Sequence, residues 1–163
     1  MAMELVYGYD RLDEVRALFS DYTQMLVELD PVFKSYLELQ RYDGELLHPG
    51  EKYALPDGRL YLALWDGVPA GCIALRRIDD SRCELKRMYV RPEYRGHGIA
   101  SALVRRLIED AGSAGYRQML LDTLPKLSAA IRLYSSFGFY YTQRYNDSPL
   151  DYSIFMAYDL GAD

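Results

Sequence analysis

The chain has 163 residues, half of them hydrophobic and about a quarter charged, enough to bury the core of one soluble globular domain spanning residues 1–163. Its net charge of −5 argues against a nonspecific nucleic-acid binder, and the absence of a long apolar run argues against a membrane span. In chain order, residues 3–9 (MELVYGY) read as a strand, and residues 11–29 as an amphipathic helix with Leu12, Val15, Leu18, Phe19 and Tyr22 at helical spacing. Pro31 either ends that helix or opens a second short one over 32–42. Residues 43–58 lack periodicity and carry several Gly and Pro, which predicts an irregular, substrate-facing loop.

Three strands should follow at 59–65, 69–78 and 82–90, with Asp66-Gly67 as a hairpin turn and Asp79–Ser81 as a second turn. Residues 98–115 read as a helix with Ile99, Leu103, Leu107 and Ala111 on one stripe. Residues 117–124 read as a strand buried on both faces, and 126–137 as a helix that Gly138 caps in a left-handed conformation. Strands at 139–145 and 151–160 close the chain. Antiparallel strands followed by a βαβαβ run predict a mixed α/β fold, with helices flanking one central sheet.

The two cysteines, Cys72 and Cys83, form no CxxC pair, and a bridge between them would need neighbouring strands in register; reduced, buried thiols are expected. With only His48 and His97 as histidines, no metal site is expected. No basic leader precedes an apolar segment at the start, so a cytoplasmic protein is the expectation.

The charge distribution is more specific than its total. Between Arg82 and Arg106 seven basic residues face two acidic ones, although the chain as a whole is acidic. Inside that window, Arg95-Gly96-His97-Gly98 stands at the entry of a helix. Glycines there let backbone N–H groups point outward unobstructed and converge, with the helix dipole, on an anion. Arg91 and Arg95 would add charge-assisted hydrogen bonds, and a diphosphate is the ligand that fits. A P-loop is excluded because no Gly-Lys-Ser/Thr follows. A dinucleotide fingerprint is excluded because Pro92, Glu93 and Tyr94 lengthen the turn after the strand.

Over residues 60–140 the chain resembles the GNAT (GCN5-related N-acetyltransferase) superfamily. Arg95 through Ala100 match its phosphate signature [RQ]-x-x-G-x-[GA], while "CELKRMYVRPEY" and "AAIRLYSSFGF" look like its fourth strand and fourth helix. The resemblance implies a mostly antiparallel sheet whose fourth and fifth strands splay apart around acetyl-CoA. It implies that the diphosphate meets Arg95, Gly96, His97 (by its backbone), Gly98, Ile99 and Ala100. The fourth-strand main chain, Met88, Tyr89 and Val90, would pair with the pantetheine arm as an added strand does.

It also implies that Tyr134 protonates the departing thiolate, the alternative being a plain core position on the apolar stripe of its helix. The reaction needs a carboxylate to deprotonate the amine. Glu84 is the candidate, expected to share a face with Lys86, Met88 and Val90, its alternative being a cross-strand ion pair with an arginine. Leu127 replaces an asparagine common in the family, removing one polar anchor for the cofactor. The implied activity is acetylation of a primary amine, of a small molecule such as an amino acid or polyamine-like compound. Acetylation of a protein N-terminus or lysine, a non-catalytic acyl-CoA sensor, and a homodimer stay open.

Overall fold

A computed structural model describes residues 2–148 and 150–161. The strands are β1 (Met3–Tyr7), β2 (Arg59–Trp65), β3 (Val68–Arg77), β4 (Arg82–Val90), β5 (Gln118–Thr123), β6 (Tyr140–Thr142) and β7 (Ile154–Asp159). The α-helices are α1 (Leu12–Leu29), α2 (Phe33–Leu39), α3 (Tyr42–Leu47), α4 (Ile99–Ser113) and α5 (Ser128–Phe137). The strands form one sheet in the order β1-β2-β3-β4-β5-β7-β6, in which only the β4/β5 pair is parallel. None of the described helices is long and apolar enough to cross a membrane.

The sheet divides two cores through its period of two. Leu60, Leu62 and Leu64 of β2 face α1, where Val15, Leu18 and Phe19 are buried against them. Tyr61 and Ala63 face the other way, into the core built on Leu103, Val104 and Leu107 of α4. The β2/β3 hairpin turns through Asp66 and Gly67, both at positive φ, the backbone of a turn that matches strand twist. Cys72 and Cys83 are free and buried in opposite cores, so their thiols point away from each other and cannot bridge.

Most boundaries lie within two residues of the sequence reading, and four regions differ by more. The stretch 43–58 is not wholly irregular, because Tyr42–Leu47 forms α3; a single turn and a half is too short to show periodicity. The helix expected over 32–42 stops at Leu39, since Arg41 takes a left-handed φ of 57° and starts α3 instead. The strand expected over 139–145 stops at Thr142, because Arg144 turns to the carbonyls of Ser148 and Leu150 and Tyr145 turns to Glu84. The final strand begins at Ile154 rather than 151.

The separation of β4 from β5 is as expected, and its cause is local. The two strands pair only over Arg82–Glu84 opposite Gln118–Leu120. Farther along β4, the register against β3 slips between Cys72 and Ala74, where Arg87 sits at φ 60°. A bulge of this kind bends its strand and increases local twist, carrying the rest of β4 away from β5.

Candidate active site

The diverging strands enclose a cleft of about 540 Å3, lined by β4 from Leu85 to Val90, by Asp122 and Thr123 of β5, and by the first turn of α4. At one end lies the loop that joins β4 to α4. A 3-10 turn at Pro92–Tyr94 leads to extended Arg95, then to Gly96 at φ +85° and Gly98 at φ +79°. Nothing lies within 4 Å of the Cβ that either glycine lacks, so both are required for backbone conformation and for open approach, not for packing. The first turn bond of α4 runs from Ala102 N–H to the Gly98 carbonyl, which leaves the N–H groups of Ile99, Ala100 and Ser101 for an outside acceptor. All three residues line the cleft.

The side chains around the loop do other work than expected. Arg95 donates through Nε to the Val90 carbonyl at 3.0 Å and lies over the Tyr89 ring, which ties the loop to β4. Arg91 does not face the cleft; it pairs with Asp21 at 3.3 Å and donates to the Pro69 carbonyl. His97 packs its ring on Trp65 with centroids 4.7 Å apart, leaving its backbone for the loop.

Tyr134 comes from the second turn of α5 and lines the cleft, buried in the α4-side core. Burial pushes its phenol well above the ordinary range, with further help from Tyr22 and the charge of Asp122. Its proton is therefore held at neutral pH. Leu127 precedes α5 and lines the same cleft, with no side-chain cap for the helix.

Glu84 lies elsewhere. Because Lys86 and Arg87 both turn to the α1 side at the bulge, alternation resets, and Met88 and Val90 join Leu85 on the α4 side. Glu84 therefore shares a face with Lys86 but not with Met88 and Val90. Its carboxylate is buried, forms a cross-strand ion pair with Arg76 at 3.0 Å, accepts from Tyr145 Oη at 2.6 Å and is absent from the cleft lining. Burial alone would raise its pKa, but Lys86, Tyr145 and Arg76 outweigh burial and lower it, so Glu84 is ionised.

Comparisons with known proteins show the family and the fold. The acetyltransferase (GNAT) family profile matches residues 14–139. This chain belongs to the GNAT acetyltransferase family. An N-acetyltransferase of Schizosaccharomyces pombe, itself uncharacterised, is 36% identical over 151 residues, covering 91% of this chain and 88% of its own. The N-acetylaspartate synthetase of Homo sapiens is 36% identical over 110 residues, which are 66% of this chain but 36% of that protein. In fold, the chain is similar to a PaiA N-acetyltransferase of Thermoplasma acidophilum solved in complex with coenzyme A, at TM-score 0.77 and 18% identity over 98% of this chain and 99% of that one.

Several residues of this GNAT cleft were not legible in the sequence. Asp122 of β5 lines it, accepting from the Tyr36 hydroxyl and, at 3.0 Å, from Asn146 Nδ2. A lone acid inside the apolar run "QMLLDT" is the signal that could have found it. Tyr36 and Gln40, four residues apart at the end of α2, reach down to β5 and β4 respectively. Nothing in their sequence context marks them. Lys86 Nζ donates to Gln40 Oε1 at 3.0 Å, and burial holds the ammonium down at about 8. Arg87, also buried, forms a two-point pair with Glu45 of α3, both distances being 2.8 Å.

Proposed function

We propose that this chain transfers the acetyl group of acetyl-CoA to a primary amine of a small molecule. The observation that carries the proposal is that an anion-binding loop, a strand edge without a partner and a protonated phenol open onto one cleft. Coenzyme A fits these residues. The free amides of Ile99, Ala100 and Ser101 with Gly96 and Gly98 suit its diphosphate, and Met88, Tyr89 and Val90 lie on the stretch of β4 that β5 has left. Acetyl-CoA would supply an activated thioester in the gap between the strands.

The chain's own residues then have distinct tasks. Asp122 is the carboxylate that the cleft lining offers to an incoming amine, so we assign it the amine proton in place of Glu84. Glu84 keeps an indirect role: ionised and fixed by Arg76 and Tyr145, it favours the charged form of Lys86 beside the cleft. As the amine nitrogen forms its bond to the acetyl carbon, the C–S bond breaks with its electron pair on sulfur. Tyr134 is positioned to donate its proton to that sulfur. The roof that α2 forms with Tyr36 and Gln40 favours a small acceptor over a protein chain, and a named relative that makes N-acetylaspartate supports the same class.

The test is a pair of measurements on the full chain. Acetyl-CoA should raise the melting temperature where NAD and ATP do not, and free thiol should appear with members of a panel of small primary amines. Thiol release only with peptides would move the acceptor to proteins, and a thermal shift without any turnover would make the chain a sensor.

A further inference from the structure

We infer that the acceptor end of the cleft is built for an amino acid, whose carboxylate is bound by Lys86 and whose amino group is presented to Asp122. The charges of the cleft select the ligand, and only the fate of its amine rests on the acetyl-transfer reading above.

Glu84 and Leu120 are the last residues that β4 and β5 place opposite each other. Lys86 and Asp122 each stand two residues farther along, on the same face, where the strands have parted. The roof joins them indirectly. On α2, Tyr36 donates to Asp122 Oδ2, while Gln40, one helical turn on, accepts from Lys86 Nζ at 3.0 Å. The cleft therefore holds a cation and a carboxylate facing one another without an ion pair between them.

The surrounding charges are already committed. Glu84 is matched to Arg76 and Tyr145, and Glu45 to Arg87, Lys52 and Tyr53. Arg87 is paired with Glu45 and also donates to Gln40, through Nε and Nη2. Asp122 has only the neutral partners Tyr36 and Asn146, and the hydrogen-bond partner of Lys86 is a neutral amide. Lys86 is only 7% exposed. Glu84 favours the charged form of Lys86, but among the described residues no carboxylate pairs directly with Nζ and burial still lowers the ammonium, so a ligand carboxylate would relieve it through a charge-assisted hydrogen bond.

The groups that face Lys86 are Glu84 and Arg87 from β4, Asp122 from β5, Gln40 from the end of α2 and Lys52 from the loop after α3. Of these, the charged groups that line the cleft are Lys86 and Arg87 from β4 and Asp122 from β5, an arrangement that complements a zwitterion. A plain alkylamine would leave Lys86 without a ligand carboxylate, a polyamine would be repelled by it, and the amino-terminal residue of a peptide has no free α-carboxylate to offer.

The experiment pairs each of the twenty common amino acids, with β- and γ-amino acids, against the amine that lacks only its carboxylate. Thermal shift in the presence of coenzyme A reads binding, and thiol release from acetyl-CoA reads turnover. At least one amino acid should shift the melting temperature and be acetylated with kcat/KM at least about tenfold above its carboxylate-free partner. Lys86→Met should raise the acceptor KM by roughly 10- to 100-fold with little change in the KM for acetyl-CoA, and should pull that preference towards one. Loss of folding alone would lower both members of a pair equally, and Lys86→Gln supplies the same ratio should the Met variant not fold. Lys86→Arg should retain part of the preference.

Amines without a carboxylate performing as well as the amino acids would overturn the proposal, as would an unchanged preference in Lys86→Met or an absence of both binding and turnover with every amino acid. Amino-acid binding without thiol release would leave this site standing and refute acetyl transfer.

Discussion

Replacing Glu45 by Gln tests the buried pair that anchors α3 and the bulged strand to each other. The side chains of Glu45 and Arg87 are 1% and 3% exposed and meet through two hydrogen bonds of 2.8 Å, with Tyr53 and Lys52 supplying further donors. Burial by itself would raise the Glu45 carboxyl, but Arg87 outweighs it and holds the group at about 2 against an ordinary 4.5. That difference corresponds to about 3 kcal/mol of stabilisation, in line with the ~3–5 kcal/mol expected when one partner of a buried pair is removed. For a chain of this length the melting temperature of Glu45→Gln should fall by roughly 6–12 °C. In urea the midpoint should fall with an unchanged slope.

The sign with pH follows from a depressed carboxyl. The contribution is fully present above the unfolded pKa near 4.5 and is lost as pH falls towards 2. The gap between the native chain and Glu45→Gln should therefore narrow in acid, by roughly 1.4 kcal/mol at pH 3.5. A gap below about 1 kcal/mol at pH 7, or one that acid leaves unchanged, would refute the reasoning.

Other residues give independent checks. Tyr134→Phe should lower kcat by about tenfold or more and leave the KM for acetyl-CoA nearly unchanged, because only the donated proton is removed; steady-state kinetics with an active acceptor reads both. Asp122→Asn should lower kcat by about 100-fold at pH 7 and recover partly at high pH, where the free amine needs no base; a flat ratio across pH would remove Asp122 from that role. Gly98→Ala meets no atom within 4 Å but must hold φ +79°, so it should cost about 1–2 kcal/mol in denaturation and raise the KM for acetyl-CoA more than that of the acceptor. Since burial holds Lys86 at about 8, the KM for an amino-acid acceptor should rise as pH climbs past 8 and its ammonium is lost. Lys86→Arg should abolish that rise.

The sequence by itself determined whatever depends on local spacing. Helical stripes placed α1, α4 and α5 to within a few residues, apolar runs bounded by turn signals placed β2 and β3, and Asp66-Gly67 named its own turn. The open glycine loop at the entry to α4 was legible for the same reason, since two glycines at a helix entry fix backbone conformation without reference to the rest of the chain. Only the tertiary structure decided which carboxylate lines the cleft. Alternation along residues 82–90 put Glu84 with Met88 and Val90, but the bulge at Arg87 gives two consecutive residues to one face and reverses the pattern beyond it. That bulge is held by Glu45, more than forty residues away in a segment without periodicity. The same separation hides the roof: Tyr36 and Gln40 are ordinary helix residues until the sheet brings Asp122 and Lys86 beneath them. Long-range pairing of buried charges leaves no periodic trace in a sequence, because its period is set by how the chain folds back rather than by helix or strand geometry.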